Sequence, residues 1–283
     1  MRPILAAAAS IWLFSFAATA PSWADDGNVA KTTRYLALGD SIAFGFNPTV
    51  PIDLENYHGY PQFVAAEVHR RLANASCFGE TSGSFLSPTA PDFGCRAWKQ
   101  AGHPLFVAYT GTQLEYALTY LRSNPNPKLV TINIGGNDLA LVQQNCQLDV
   151  NCELAALPGA LAAYGRNLFA IFSRLRIQAR YDGPIVLLTY YVANYSDPIQ
   201  VGAFTQLNGI ASGIAAAFGV KIADGFGAFQ VATIPFGGDS CAAGLLVKLS
   251  AGICDSHPSL AGQRLLAEAV LKALGENDNE GED

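Results

Sequence analysis

Lys128-Leu129-Val130-Thr131-Ile132-Asn133-Ile134 runs straight into Gly135-Gly136-Asn137-Asp138. The run is largely apolar and β-branched, with Asn124-Pro125-Asn126-Pro127 before it and paired glycines after it. That composition between turn signals predicts a strand buried on both faces. Such a strand belongs in a parallel sheet, because helices must cover both sides of a sheet that has no polar face.

The same reading extends outward. Residues 34–38 (RYLAL) form a short apolar run ending at Gly39, and 74–78 make a brief candidate second strand. Downstream, the turn Asp182-Gly183-Pro184 launches a strand at 185–190, and 220–223 supply a short last one. Between them, helical spacing predicts helices over 61–72, 112–121, within 153–180 with Gly165 as a weak point, over roughly 201–218, and over 258–274 with Pro258 in the first position. Strands separated by helices of this length imply right-handed crossovers. The expected fold is α/β, a three-layer αβα sandwich around a parallel, flavodoxin-like five-stranded sheet. No repeat or linker divides it, so 25–274 is read as one domain with longer loops at 79–110, 138–152 and 224–257.

Half of the 283 residues are hydrophobic and only 14% are charged, which excludes a disordered chain. The formal net charge is −6 and no cluster of Lys or Arg occurs, so no basic field exists to attract nucleic acid. Residues 1–24 carry Arg2, an apolar run from Ile4 to Phe16, and the small-x-small pattern Ser22-Trp23-Ala24 before Asp25. That is the pattern of a cleaved signal peptide, and its apolar core falls short of the ~20 residues a spanning helix needs. A secreted protein, extracellular or periplasmic, with no membrane span is therefore expected. The tail at 275–283 (GENDNEGED) is acidic and reads as disordered.

Six cysteines come after the signal: Cys77, Cys95, Cys146, Cys152, Cys241 and Cys254. An even count in an exported chain implies disulfides, and the clustering suggests the sequential pairs 77–95, 146–152 and 241–254. A metal site is a poor alternative, since no C-x-x-C occurs and the four histidines are scattered. No metal and no organic cofactor is expected.

Ligands of a doubly wound sheet bind beyond the carboxyl ends of its strands, so the residues just past each strand decide the chemistry. After the first comes Gly39-Asp40-Ser41, a sharp turn that leaves the serine hydroxyl and its backbone N–H facing the same space. After the second comes Gly79, whose unobstructed N–H can donate to an oxyanion. The third delivers Gly135-Gly136-Asn137-Asp138, with the Asn137 amide as a donor. Ahead of the last helix, a loop carries Asp255-Ser256-His257-Pro258, a base with an acid two residues earlier. Each block alone is as well explained by ordinary turns and caps.

Together, in this order and at these strand ends, the four blocks resemble the SGNH (GDSL) hydrolase superfamily, and most of all its secreted three-disulfide bacterial lipases and esterases. The resemblance covers essentially the whole chain after the signal. It implies Ser41 as nucleophile, His257 as general base and then acid, and the N–H groups of Ser41 and Gly79 with the Asn137 side chain as oxyanion donors. It also supports the sequential disulfide pairing. The chain departs from the family pattern in one place: the acid usually stands three residues before the histidine, and here that position is Cys254. Either Asp255 orients His257, or a backbone carbonyl near Cys254 does so and leaves a Ser–His dyad. The expected function is a serine esterase or lipase that acts as a monomer on a small-molecule or lipid ester. A polysaccharide O-acetylesterase would use the same residues, and a non-catalytic binding module would keep only the fold. Phe44, Phe46, Val50, Ile52 and Leu54, with Tyr190, Tyr191 and Tyr195, are candidates to line an acyl site.

Overall fold

In a computed structural model of the protein, residues 34–124, 127–250 and 252–275 are described. The expected signal at 1–24 lies outside them, as does the expected disordered tail beyond Gly275. The chain begins with β1 (Arg34–Gly39), α1 (Ser41–Phe44), α2 (Tyr60–Glu67) and β2 (Arg71–Asn74). Three helices come next, α3 (Ser82–Leu86), α4 (Cys95–Gln100) and α5 (Gln113–Ser123), and then β3 (Pro127–Asn133). Beyond it lie α6 (Gly136–Asn145), α7 (Val150–Ser173), β4 (Ile185–Leu188), α8 (Pro198–Ala217), β5 (Lys221–Ala223) and α9 (Gly225–Thr233). An antiparallel pair, β6 (Leu246–Ser250) and β7 (Ile253–Pro258), leads into α10 (Leu260–Leu274).

The five strands β1 to β5 pair in parallel in the order β2-β1-β3-β4-β5, with helices around them. This is the expected α/β, flavodoxin-like sheet. Its central strands are buried throughout, β4 (IVLL) on every residue and β3 on all but Lys128. The order reverses between β1 and β3, so their carboxyl ends flank the crevice where such sheets hold their ligands.

Several boundaries differ from the sequence expectation. The second strand begins at Arg71, earlier than 74–78, because α2 stops at Glu67 and the chain reverses through His69 at φ +48°. Pairing with β1 still runs on past β2, since the N–H groups of Ala75 and Cys77 donate to the carbonyls of Ala37 and Gly39. Pro258 closes β7 and lies outside the last helix; Ser259 caps α10 instead, accepting the Gly262 N–H. The loop expected at 138–152 is mostly helix α6. The loop at 79–110 holds α3 and α4, and that at 224–257 holds α9 and the β6–β7 pair.

Helix α7 and the wide turn that continues it, Arg174–Gln178, are long and apolar enough by composition to cross a membrane. They bury Leu161, Tyr164, Leu168, Ile171, Phe172 and Leu175 in the main core, as a helix covering a sheet must. Three disulfides close Cys77–Cys95, Cys146–Cys152 and Cys241–Cys254.

Candidate active site

The nucleophile candidate sits on a turn that few residues could make. Gly39 ends β1 at φ +136°, and a Cβ there would fall 2.1 Å from the Asn133 carbonyl oxygen of the adjacent β3. Asp40 caps α1 by accepting the Ile42 N–H at 3.0 Å, which leaves Ser41 as the first helical residue. The last carbonyls of this single turn are held from elsewhere: Gln263 Nε2 donates to Ile42 O at 3.1 Å, and Asn74 Nδ2 to Ala43 O at 2.9 Å. The Ser41 N–H, in the first turn, has no acceptor among the described residues.

His257 comes to this serine from the other end of the chain, with Nε2 2.8 Å from Ser41 Oγ. It lies on strand β7, where the sequence reading placed a loop. The ladder slips here, Leu246 pairing with Pro258 and Lys248 with Cys254, and within that bulge Asp255 lies beside His257, its carboxylate meeting ring Nδ1 in a short contact. The same Asp255 Oδ1 accepts the His257 backbone N–H at 2.9 Å. Partial burial would raise the Asp255 carboxyl, but the hydrogen bonds and charge of His257 outweigh it and hold the group below its ordinary value. Between the two, the Ser256 carbonyl accepts the Tyr191 hydroxyl at 2.5 Å, and the preceding Cys254 is bridged to Cys241.

Gly79 has φ +72°, and a Cβ there would lie 2.5 Å from the Gly94 nitrogen and 2.6 Å from the Phe93 carbonyl carbon. Its carbonyl accepts the Phe93 N–H, while its own N–H is without an acceptor among the described residues. Asn137 donates from Nδ2 to the Glu80 carbonyl at 2.9 Å, which places the third candidate donor against the Gly79 loop and leaves its second amide hydrogen uncommitted. Asp138 laces the same two loops together, accepting the Ser82 N–H at 2.9 Å and the Ser82 hydroxyl at 2.5 Å. Burial raises its carboxyl.

Sequence reasoning missed a layer of buried polar groups beneath these residues. Burial pushes the Asp40 carboxyl up to about 7, although Tyr190 and the Ile42 N–H donate to it. Glu80 is likewise pushed up to about 7 by burial while accepting from Ser84 and Gln113. Nothing in their local sequence marks Gln113, Glu80 or Tyr190, because the partners that tie them to other elements lie 33 to 150 residues away. Cys77, Glu80 and Cys95 lie close enough to share a metal ion, but the two sulfurs are joined as a disulfide and offer no thiolate.

The apolar candidates divide. Phe46 and Phe78 stand against the His257 ring, with centroids 5.0 and 6.3 Å away. Both rings belong to a second apolar cluster built on Phe44, Tyr57 and Trp98, with Val50 and Leu54 at its edge. Ile52 is exposed outside it. Tyr190, Tyr191 and Tyr195 are structural: their hydroxyls bond Asp40, the Ser256 carbonyl and the Phe226 carbonyl.

The arrangement can take a proton from a serine hydroxyl and hold charge beside it. A family model described as GDSL-like lipase/acylhydrolase matches residues 37–265. No curated protein sequence gives a match to the chain. Among solved structures, phospholipase A1 from Streptomyces albidoflavus NA297 is 25% identical, with 85% of this chain and 97% of that one covered at a TM-score of 0.56. An acetylxylan esterase, Axe2 from Geobacillus stearothermophilus, is 20% identical, covering 86% and 94% at a TM-score of 0.54. A lipase from a goat rumen metagenome is 15% identical, covering 86% and 97% at 0.54. The last two share the fold.

Proposed function

Because the chain belongs to the GDSL-like lipase/acylhydrolase family, whose model spans residues 37–265, it is a carboxylic ester hydrolase, and we propose that it works as an exported esterase or lipase through an acyl-enzyme on Ser41. The observation that carries this reading is the continuous contact from Ser41 Oγ to His257 Nε2 and from His257 Nδ1 to Asp255. A serine hydroxyl is a poor nucleophile until a base takes its proton.

Ser41 Oγ attacks the ester carbonyl carbon while its proton passes to His257 Nε2. The carbonyl π pair moves to oxygen, and that oxyanion takes hydrogen bonds from the N–H groups of Ser41 and Gly79 and from the Asn137 amide. Collapse expels the alcohol, which leaves with the proton from Nε2, and the acyl group stays on Ser41. Water then attacks under the same base, and the carboxylic acid is released as Ser41 recovers its proton. Asp255 keeps the second imidazole proton on Nδ1 and balances the imidazolium that forms. No step in this scheme calls for a metal or an organic cofactor.

Phe46 and Phe78 beside His257 favour an acyl chain as the recognised group. Export is supported by the three disulfides, which persist in oxidising compartments, and by the signal pattern of residues 1–24. The test compares the wild type with Ser41→Ala on p-nitrophenyl esters of increasing chain length. Turnover by wild type alone supports the nucleophile, and equal turnover by both removes it. A maximum at acetate would move the substrate class to O-acetyl groups.

A further inference from the structure

We propose that Gln113, backed by Glu80, is a positioning residue that locks the nucleophile turn to the loop of oxyanion donors. Gln113 is the first residue of α5 and is fully buried. Its amide grips Gly39 at both polar groups: Oε1 accepts the Gly39 N–H at 2.5 Å, and Nε2 donates to the Gly39 carbonyl at 2.9 Å. The Gly39 carbonyl also accepts the Cys77 N–H, so the side chain adds to the strand-type pairing at this point. Gly39 lies two residues before Ser41, at the point where the chain leaves the sheet. Whatever fixes the Gly39 peptide groups fixes the direction in which Ser41 is presented.

Gln113 Nε2 also reaches Glu80 Oε2 at 3.1 Å. Glu80 is the residue after Gly79, and its backbone carbonyl is the one that receives Asn137 Nδ2. Its other carboxylate oxygen accepts the Ser84 hydroxyl, on the helix just beyond. The three candidate donors come from three separate strand ends; this pair of side chains ties the Gly39 turn to residue 80, whose backbone carbonyl in turn holds Asn137. An apolar pair would fill the same space without the desolvation that a buried carboxyl carries. What the polar pair adds is direction, since hydrogen bonds fix angles that packing leaves free.

The inference rests on Ser41 being the nucleophile. Loosening the clamp leaves the substrate's binding surface intact but misplaces the donors relative to the oxygen on which charge develops. Loss should therefore fall on kcat and spare KM.

The test uses four variants of the full chain, with p-nitrophenyl butyrate as substrate and melting curves as a check of folding. Gln113→Met and Glu80→Met remove the clamp at nearly constant volume. Glu80→Gln keeps an acceptor for Gln113 Nε2 and removes the charge, and Ser41→Ala tests the underlying reading. Folded Gln113→Met and Glu80→Met are expected to lose at least about tenfold in kcat with KM within about twofold, and Glu80→Gln to stay within about threefold of wild type. Wild-type kcat in either methionine variant, a loss confined to KM, or equal damage in Glu80→Gln and Glu80→Met would overturn the proposal. If Gln113→Met does not fold, the two Glu80 variants decide alone. An active Ser41→Ala would instead defeat the nucleophile reading, a result separate from failure of the clamp.

Discussion

Asp255 and His257 stand two residues apart on strand β7, and the carboxylate of the first meets Nδ1 of the second while accepting its backbone N–H. The acid thus fixes the ring twice, through its side chain and through the peptide that carries it. Asp255→Asn keeps the shape but can no longer hold the proton on Nδ1 or balance an imidazolium. Its kcat should fall by roughly 10²–10⁴, with KM little changed. Steady-state kinetics on a p-nitrophenyl ester measure this, and a loss below about tenfold would mean that Asp255 is not the working partner.

Gly79 has no room for a side chain. Gly79→Ala must either relax away from Gly94 and Phe93 or hold a left-handed alanine. A loss of about 2 kcal/mol in stability is expected, together with a kcat loss on the order of 10² as the donor shifts. Urea melts and kinetics on the same preparation separate the two effects. A variant of normal stability and normal kcat would show that this N–H is not aimed at the reacting oxygen.

The disulfides should differ in what their removal does. Cys241–Cys254 fastens the strand that bears the base, whereas Cys146–Cys152 closes the connection between α6 and α7. Replacing either pair with alanine should cost about 3 kcal/mol or less, the shorter loop less than the longer. Only loss of the first should also lower kcat at temperatures where the protein remains folded. Equal activity in both double variants would separate the hairpin bridge from catalysis.

Burial makes the fold hold protons that the unfolded chain releases. The Glu80 carboxyl rises from 4.5 to about 7, and that of Asp40 from 3.8 to about 7. Their contribution is full below about pH 4 and declines as pH rises to about 7, where the carboxyls ionise at last in the fold. For Glu80 alone the scale is of order 3 kcal/mol, taking about 1.4 kcal/mol per unit. Glu80→Gln should therefore melt close to wild type at pH 5 and several degrees higher at pH 8.5. Melting curves at the two values check this; a constant difference would remove Glu80 as the source.

The sheet and the four strand-end blocks were legible because each is encoded locally. Residues 128–134 announce a buried strand by composition, and Ser41, Gly79 and Asn137 come within a few residues of strand ends. Helical spacing marked the helix at 112–121, and in the structure Thr112 caps it with Glu115 three residues on. Elements that depend on distant partners were not legible. Gln113 carries no mark of its bond to Gly39, 74 residues earlier, and Tyr190 none of its bond to Asp40. The strand nature of 253–258 was hidden for a similar reason, since its ladder partner β6 sits in a stretch without clean alternation. Reading that segment as a loop also hid the slip in the β6–β7 ladder within which Asp255 lies beside His257.

That shared hairpin has a further consequence for how such a site can change over time. An acid and a base borne on one hairpin are inherited and displaced together, so a lengthened tether or a shifted turn moves the proton relay as a single part. One residue inserted ahead of Asp255 would leave the pair together, held by the bonds between them, but one inserted between them would part acid from base. Variation in this hairpin therefore moves the relay whole or breaks it apart according to which side of a single aspartate it falls on.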